Sequence, residues 1–214
     1  MRAILPTVLA FLSLCSVSPL RAQVEQQQPA RVGRQQAFYF DALNFAQVDA
    51  FGLSSRLDLY IQVPFDIITF VRTSDGYTGA YTITALVNDE DGQRITEESW
   101  TRKVERTSVD GAKDAGTSDL TQRSITLEAG SYIVEILFED KESSSEFRST
   151  KKVETRKFDQ NLFSMSDMML VGAVDESAGK RRISPHLNPN VAGLPDGFTL
   201  FYEVYIPFTI PELF

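Results

Sequence analysis

The chain has 214 residues, 43% of them hydrophobic and 23% charged, with a formal net charge of -8 at pH 7. That composition is ordinary for a soluble globular protein and excludes disorder of the whole chain. The acidic balance argues against nucleic acid and against an anionic membrane surface as partners, because both demand a basic footprint.

Residues 1–22, MRAILPTVLAFLSLCSVSPLRA, have a basic start at Arg2, an apolar run from Ala3 to Val17 interrupted by Pro6, and a small residue, Ala22, before Gln23. This is the pattern of a secretory signal peptide. It predicts an exported protein of the periplasm, the cell surface or the medium. Leu20 stands three residues before the expected cut, where a small residue is preferred. The run is too short and too broken to cross a bilayer, and no later stretch reaches the roughly 18–20 apolar residues of a transmembrane segment. The only cysteine, Cys15, lies inside this leader behind Leu14, where lipoprotein processing favours Gly, Ala or Ser. The mature chain is therefore expected to lack disulfides, thiolate zinc sites and cysteine nucleophiles.

Residues 23–36, QVEQQQPARVGRQQ, offer almost nothing to bury and predict a disordered tether. Phe38 and Phe40 share one face and begin the first core strand; the other reading of Phe38, Tyr39 and Phe40 is an exposed sugar-binding platform. Arg56–Val63 alternates cleanly, with Leu57, Leu59, Ile61 and Val63 inward and Arg56, Asp58, Tyr60 and Gln62 on a wet face. Pro64 should end that strand. Ile67–Val71 reads as a short apolar strand closed by a Ser74, Asp75, Gly76 turn. Tyr77–Asn88 puts Tyr81, Ile83, Ala85 and Val87 inward, and Asp89, Glu90, Asp91 and Gly92 turn the chain into a more polar strand, Gln93–Val104. That strand carries Trp100, the only tryptophan, as a core or rim anchor. Glu105–Asp119 reads as a loop.

Leu120–Asp140 reads as a hairpin and as the organising element of the chain. Tyr132, Val134, Ile136 and Phe138 lie on one face and Glu135 and Glu139 on the other, with Glu128, Ala129 and Gly130 as the turn. Lys141–Glu146 is a polar turn. Glu146–Thr155 follows as a charged strand whose Lys151 and Lys152 suit a sheet edge. Seven or eight short strands without an amphipathic helix predict an all-β fold, an antiparallel β-sandwich of the immunoglobulin or fibronectin type over residues 37–156.

Residues 157–214 read as an incomplete second β unit. Leu162–Val174 is apolar and holds three methionines, which suit gap-filling better than metal ligation. Lys180, Arg181 and Arg182 form a solvated loop, Pro195, Asp196 and Gly197 form a turn, and Phe198–Ile206 forms the last strong strand. In that strand Phe198, Leu200, Tyr202, Val204 and Ile206 make one apolar row, while Phe201 and Tyr205 add to the other, so both faces call for cover. Another protein could pair along its exposed edge.

The chemistry-bearing residues converge on nothing. Ser184, the sole histidine His186 and Asp196 share a polar stretch but lack a nucleophile elbow. One histidine cannot make a multi-histidine metal site. Asp89, Glu90 and Asp91 lack the ligand spacing of a calcium loop, and no phosphate loop or dinucleotide fingerprint is present. No catalytic, cofactor-binding or metal-ligating residue is assigned.

Four segments, RLDLYIQVPFDIITFV at 56–71, LTQRSITLEAGSYIVEILFEDKES at 120–143, FSMSDMMLV at 163–171 and LPDGFTLFYEVYIP at 194–207, are similar in order and wording to the amino-terminal part of the secreted bacterial GWxTD domain-containing proteins. The resemblance covers about 56–207. It implies sandwich-like repeats ahead of a carboxy-terminal domain bearing the signature, and no activity. Trp100 is preceded by Ser99, so the signature itself is absent and no functional residue carries over. The resemblance implies a shortened member, or a fragment ending at Phe214, that retains the front domains only. The expectation is an exported, non-catalytic interaction or scaffold protein without cofactors; the alternative is a carbohydrate-binding module whose partner is a polysaccharide.

Overall fold

Eight strands divide between two antiparallel sheets in the structure, a computed structural model that describes residues 37–49, 52–108, 117–177, 180–187 and 197–207. The expected leader at 1–22 and tether at 23–36 lie outside the described residues. β1 (Tyr39–Asp49), β2 (Gly52–Pro64) and β6 (Ser118–Leu127) form one sheet in the order β1-β2-β6. The other contains β4 (Gly76–Asp89), β5 (Arg94–Arg106), β7 (Gly130–Asp140) and β8 (Glu146–Thr155), ordered β5-β4-β7-β8, with the short β3 (Val71–Thr73) also paired to β4. This is an antiparallel β-sandwich of the immunoglobulin or fibronectin type.

The core follows the alternation. Leu57, Leu59, Ile61 and Val63 face Tyr81, Ile83, Ala85, Val87, Val134, Ile136 and Phe138, and all of these are fully buried. Phe38, just ahead of β1, and Phe40 within it join the same core, so they are core residues and not an exposed platform.

The hairpin expected over Leu120–Asp140 is not one. β6 pairs with β2, while β7 pairs with β4 and β8, so Glu128 and Ala129 carry the chain from one sheet to the other. The reason is that Ile125 and Leu127 must face Tyr132 and Val134 across the core, which two strands of one sheet cannot do. The corner is fixed by Tyr132, whose hydroxyl donates to the Glu128 carbonyl (3.1 Å), and by Thr155 Oγ1, which donates to the same oxygen (2.6 Å). A tyrosine at the start of such a strand, bonded to backbone just upstream, is a hallmark of this sandwich class.

Ile67–Val71 also departs from expectation. Phe65–Ile67 is a 3-10 turn, Ile68 is buried, and the strand starts only at Val71. Ile68 plugs the end of the core over Gly79, where a Cβ would stand 2.6 Å from Ile68 Cγ2; only glycine leaves that room.

Both sides of the sandwich are closed by polar side chains. At the β5/β6 side Arg102 holds Asp119 through two bonds (2.9 and 2.8 Å), Tyr81 donates to the same carboxylate (2.6 Å), and Trp100 Nε1 donates to Thr121 (3.1 Å) beneath the Arg123 guanidinium. Trp100 is thus a rim anchor. At the other side the edge strand β8 reaches β1 through a Lys151–Asp41 ion pair.

Candidate functional site: the outer face of the carboxy-terminal strands

Beyond Thr155 the chain lays a third layer on the outer face of β1 and β2. It comprises β9 (Ser164–Met165), β10 (Met169–Ser177), β11 (Lys180–Pro185), β12 (Thr199–Phe201) and β13 (Val204–Tyr205), with β10 between β11 and β12 and β13 paired to β9. A second apolar cluster forms beneath it from Leu43, Phe45, Tyr60 and Met169, flanked by Ile183, Leu187 and Phe201. The face of β2 expected to be wet is therefore covered: Asp58 is 3% and Tyr60 6% exposed. Arg56 compensates Asp58 through two hydrogen bonds (2.9 and 3.0 Å). Burial, and then the Asp58 charge, pushes the Tyr60 hydroxyl pKa up.

Asn44 is the polar node of this attachment and is fully buried. Its Oδ1 accepts the Arg156 N–H (2.7 Å) and its Nδ2 donates to Ser55 Oγ (2.6 Å) and the Arg56 carbonyl (3.1 Å). Its backbone N–H donates to Asp167 Oδ2 (2.7 Å), and its carbonyl accepts the Asp167 N–H (2.9 Å). Tyr205 Oη accepts the next outward N–H, from Ala46 (2.9 Å), and donates to Glu203 Oε2 (2.6 Å). Burial and then that carboxylate push the Tyr205 pKa up. Together these bonds satisfy an edge strand that would otherwise offer unpaired donors.

The pairing decides which way the layer's apolar residues point. Met169 opposite Phe201 and Ser164 opposite Tyr205 face the sandwich; Leu170 opposite Leu200 and Met165 opposite Val204 face away. The expected single strand Phe198–Ile206 is broken at Tyr202 and Glu203, and its even-numbered row is the outward one. Phe198, Val204 and Ile206 are 61%, 44% and 68% exposed. Asp167 and Glu203 are the charged residues of 162–170 and 198–206; Asp167 accepts from the Asn44 N–H of β1 and pairs with Arg156, and Glu203 accepts from Tyr205. The usual distribution, charge outward and carbon inward, is inverted here. Of the three methionines, Met169 fills a gap in the cluster, while Met165 and Met168 lie on this outer surface.

The other residues singled out from sequence are employed elsewhere. Asp89 Oδ1 accepts the Gln93 N–H (2.8 Å) and Glu90 pairs with Lys152 (2.7 Å), so these acids build the β4–β5 turn. His186 donates its backbone N–H to the Leu170 carbonyl (2.7 Å), and its Nε2 is buried without a hydrogen-bond partner. Asp196 and Pro195 lie outside the described residues, as do the side chains of Lys180, Arg181 and Arg182. Among the described residues no three of His, Cys, Asp and Glu gather as metal ligands would. A cavity of about 490 Å³ opens between the start of β2 and the β6–β7 corner, lined by Leu53, Ser54, Leu127, Glu128, Lys157 and Phe158.

No protein-family model matches the chain, and no curated protein matches its sequence. Among solved structures it is similar to a calcium-binding mutant of Bacteroides uniformis β-glucuronidase 2, at 9% identity and a TM-score of 0.37, over 60% of this chain and 13% of that one. It is also similar to Bacteroides uniformis β-glucuronidase, at 12% identity and a TM-score of 0.38, over 58% of this chain and 14% of that one. The chain thus matches a small part of either enzyme's length.

Proposed function

We propose that this is an exported, non-catalytic β-sandwich protein that serves as an interaction or scaffold module, a relative of the GWxTD domain-containing proteins, and that it docks a protein partner on the outer face and strand edge of 198–206. Export rests on the leader pattern of 1–22. The observation that carries docking is an uncharged apolar row held outward while the layer's two carboxylates are engaged by Asn44, Arg156 and Tyr205. Contiguous exposed apolar surface of this kind marks interaction sites. A photoreactive phenylalanine analogue at Tyr202 should form an adduct with a protein in the producing cell, and one at Thr101, on the opposite sheet, should not. Adducts at neither position, or equally at both, would sink the reading. The coding frame after Phe214 tests the relationship to the GWxTD family.

A second reading, a carbohydrate-binding module, is favoured by the cavity at the β6–β7 corner, where Lys157 and Glu128 flank an apolar wall of Leu53, Leu127 and Phe158. That mixture suits a small polar ligand with an apolar face. A glycan array separates the two readings: retention of a polysaccharide that Lys157→Ala abolishes supports the module.

A further inference from the structure

The outer layer says more than that it docks something. Aromatic side chains carry roughly 150–250 Å² each, and Phe163 and Tyr202 are 65% and 47% exposed. With Phe198 and the aliphatic and methionine side chains around them, the face presents on the order of 800 Å², which is what one partner contributes to a standard interface. That exceeds the few hundred square ångströms a monomer usually leaves uncovered.

Charge selects the occupant. The whole chain carries -8, so two copies repel wherever acidic surface meets acidic surface. Within 162–170 and 198–206 both carboxylates are engaged within the chain, Asp167 by the Asn44 N–H and the Arg156 guanidinium and Glu203 by the Tyr205 hydroxyl, and the outward row between them carries no charge to repel its own kind. An apolar face is complementary to itself, and a two-fold axis brings identical patches together. In the row, Met165 stands opposite Val204 and Leu170 opposite Leu200 on paired strands. Two such layers can pack face to face at the ~10 Å spacing of stacked sheets.

We infer that the partner is a second copy of this chain, and that the protein forms a two-fold dimer by apposing the outward row that runs through Met165, Leu170, Leu200, Tyr202 and Val204. The inference rests on the interaction reading above. It is tested by sedimentation equilibrium of the purified chain and of Leu200→Lys, Val204→Lys and Thr101→Lys. Leu200 and Val204 already face solvent in one copy, so lysine there leaves folding intact, which an unchanged urea midpoint at dilution below dissociation verifies. The expected result is a mass of two chains at micromolar concentration. Each of Leu200→Lys and Val204→Lys should raise the dissociation constant at least tenfold, with Thr101→Lys unchanged. A chain that stays monomeric at its highest soluble concentration overturns the inference, as does a dimer indifferent to both lysines. The two failures separate cleanly: a monomer whose Tyr202 probe labels a different protein keeps the interaction reading and loses the dimer, and a monomer that labels nothing loses both.

Discussion

Replacing Asn44 by alanine tests whether one buried amide ties the third layer to the sandwich. The substitution removes the acceptor for the Arg156 N–H and the donor to Ser55 Oγ and the Arg56 carbonyl, at 2.7, 2.6 and 3.1 Å. A buried polar group left without its partner costs about 1–3 kcal/mol. The Ser55 hydroxyl can rotate, so the Arg156 N–H is the orphan that counts most, and the expected loss is about 2–4 kcal/mol. The two bonds between the Asn44 backbone and Asp167 do not depend on the side chain. The layer should therefore stay attached while its tether loosens. Urea unfolding measures the stability change, and trypsin, which cuts after Arg156 and Lys157, reports the tether. The expected outcome is a lower midpoint with cleavage at those two sites under native conditions. A double-mutant cycle with Ser55→Ala should show non-additivity of about 0.5–3 kcal/mol, as for directly bonded residues. A loss below about 1 kcal/mol with no new cleavage would refute the role given to Asn44.

Ile61→Ala and Ile136→Ala, both fully buried mid-row, should each cost about 2–4 kcal/mol in the same unfolding assay. Glu135→Ala and Gln62→Ala should cost far less, whereas Tyr60→Ala, on the face the third layer covers, should cost about as much as the isoleucines. Tyr132→Phe deletes only the hydroxyl bonded to Glu128 and should lower stability by about 1–2 kcal/mol; no change would mean the β6–β7 corner holds without it. Asp140 takes part in an acid-dependent effect. Burial alone would raise its pKa, but the Thr69 and Ser143 N–H groups bonded to the carboxylate outweigh it, and the net shift is downward. A depressed native pKa stabilises above the unfolded value, about 3.9, and that contribution disappears as pH falls through the lower native value. Urea midpoints from pH 7 to pH 2 should therefore fall less steeply at the acid end in Asp140→Asn than in the parent chain, and parallel curves would contradict the assignment.

Local alternation made much of this protein legible. The inward rows of β2, β4 and β7, the acidic β4–β5 turn and the lysines on β8 could be read directly, because a strand half-buried in a sandwich must repeat with period two and an edge must be guarded. What alternation does not encode is which strand lies next to which. Leu120–Asp140 reads as a hairpin because two apolar rows separated by a turn look alike whether they pair in one sheet or face each other across a core. The corner tyrosine, Tyr132 at the start of β7, is the local signal that distinguishes the two.

The same limit hid the candidate site. Arg56, Asp58, Tyr60 and Gln62 look like a solvated face, and only a distant segment, laid down through Asn44, Asp167 and Tyr205, buries Asp58 and Tyr60 in its middle. In the last strand both rows are apolar, so composition could say that both faces call for cover but not which one the chain covers itself. Hydrogen bonds across more than a hundred residues of sequence decided that: they turned Phe201, Glu203 and Tyr205 toward the sandwich and left Leu200, Tyr202, Val204 and Ile206 facing out.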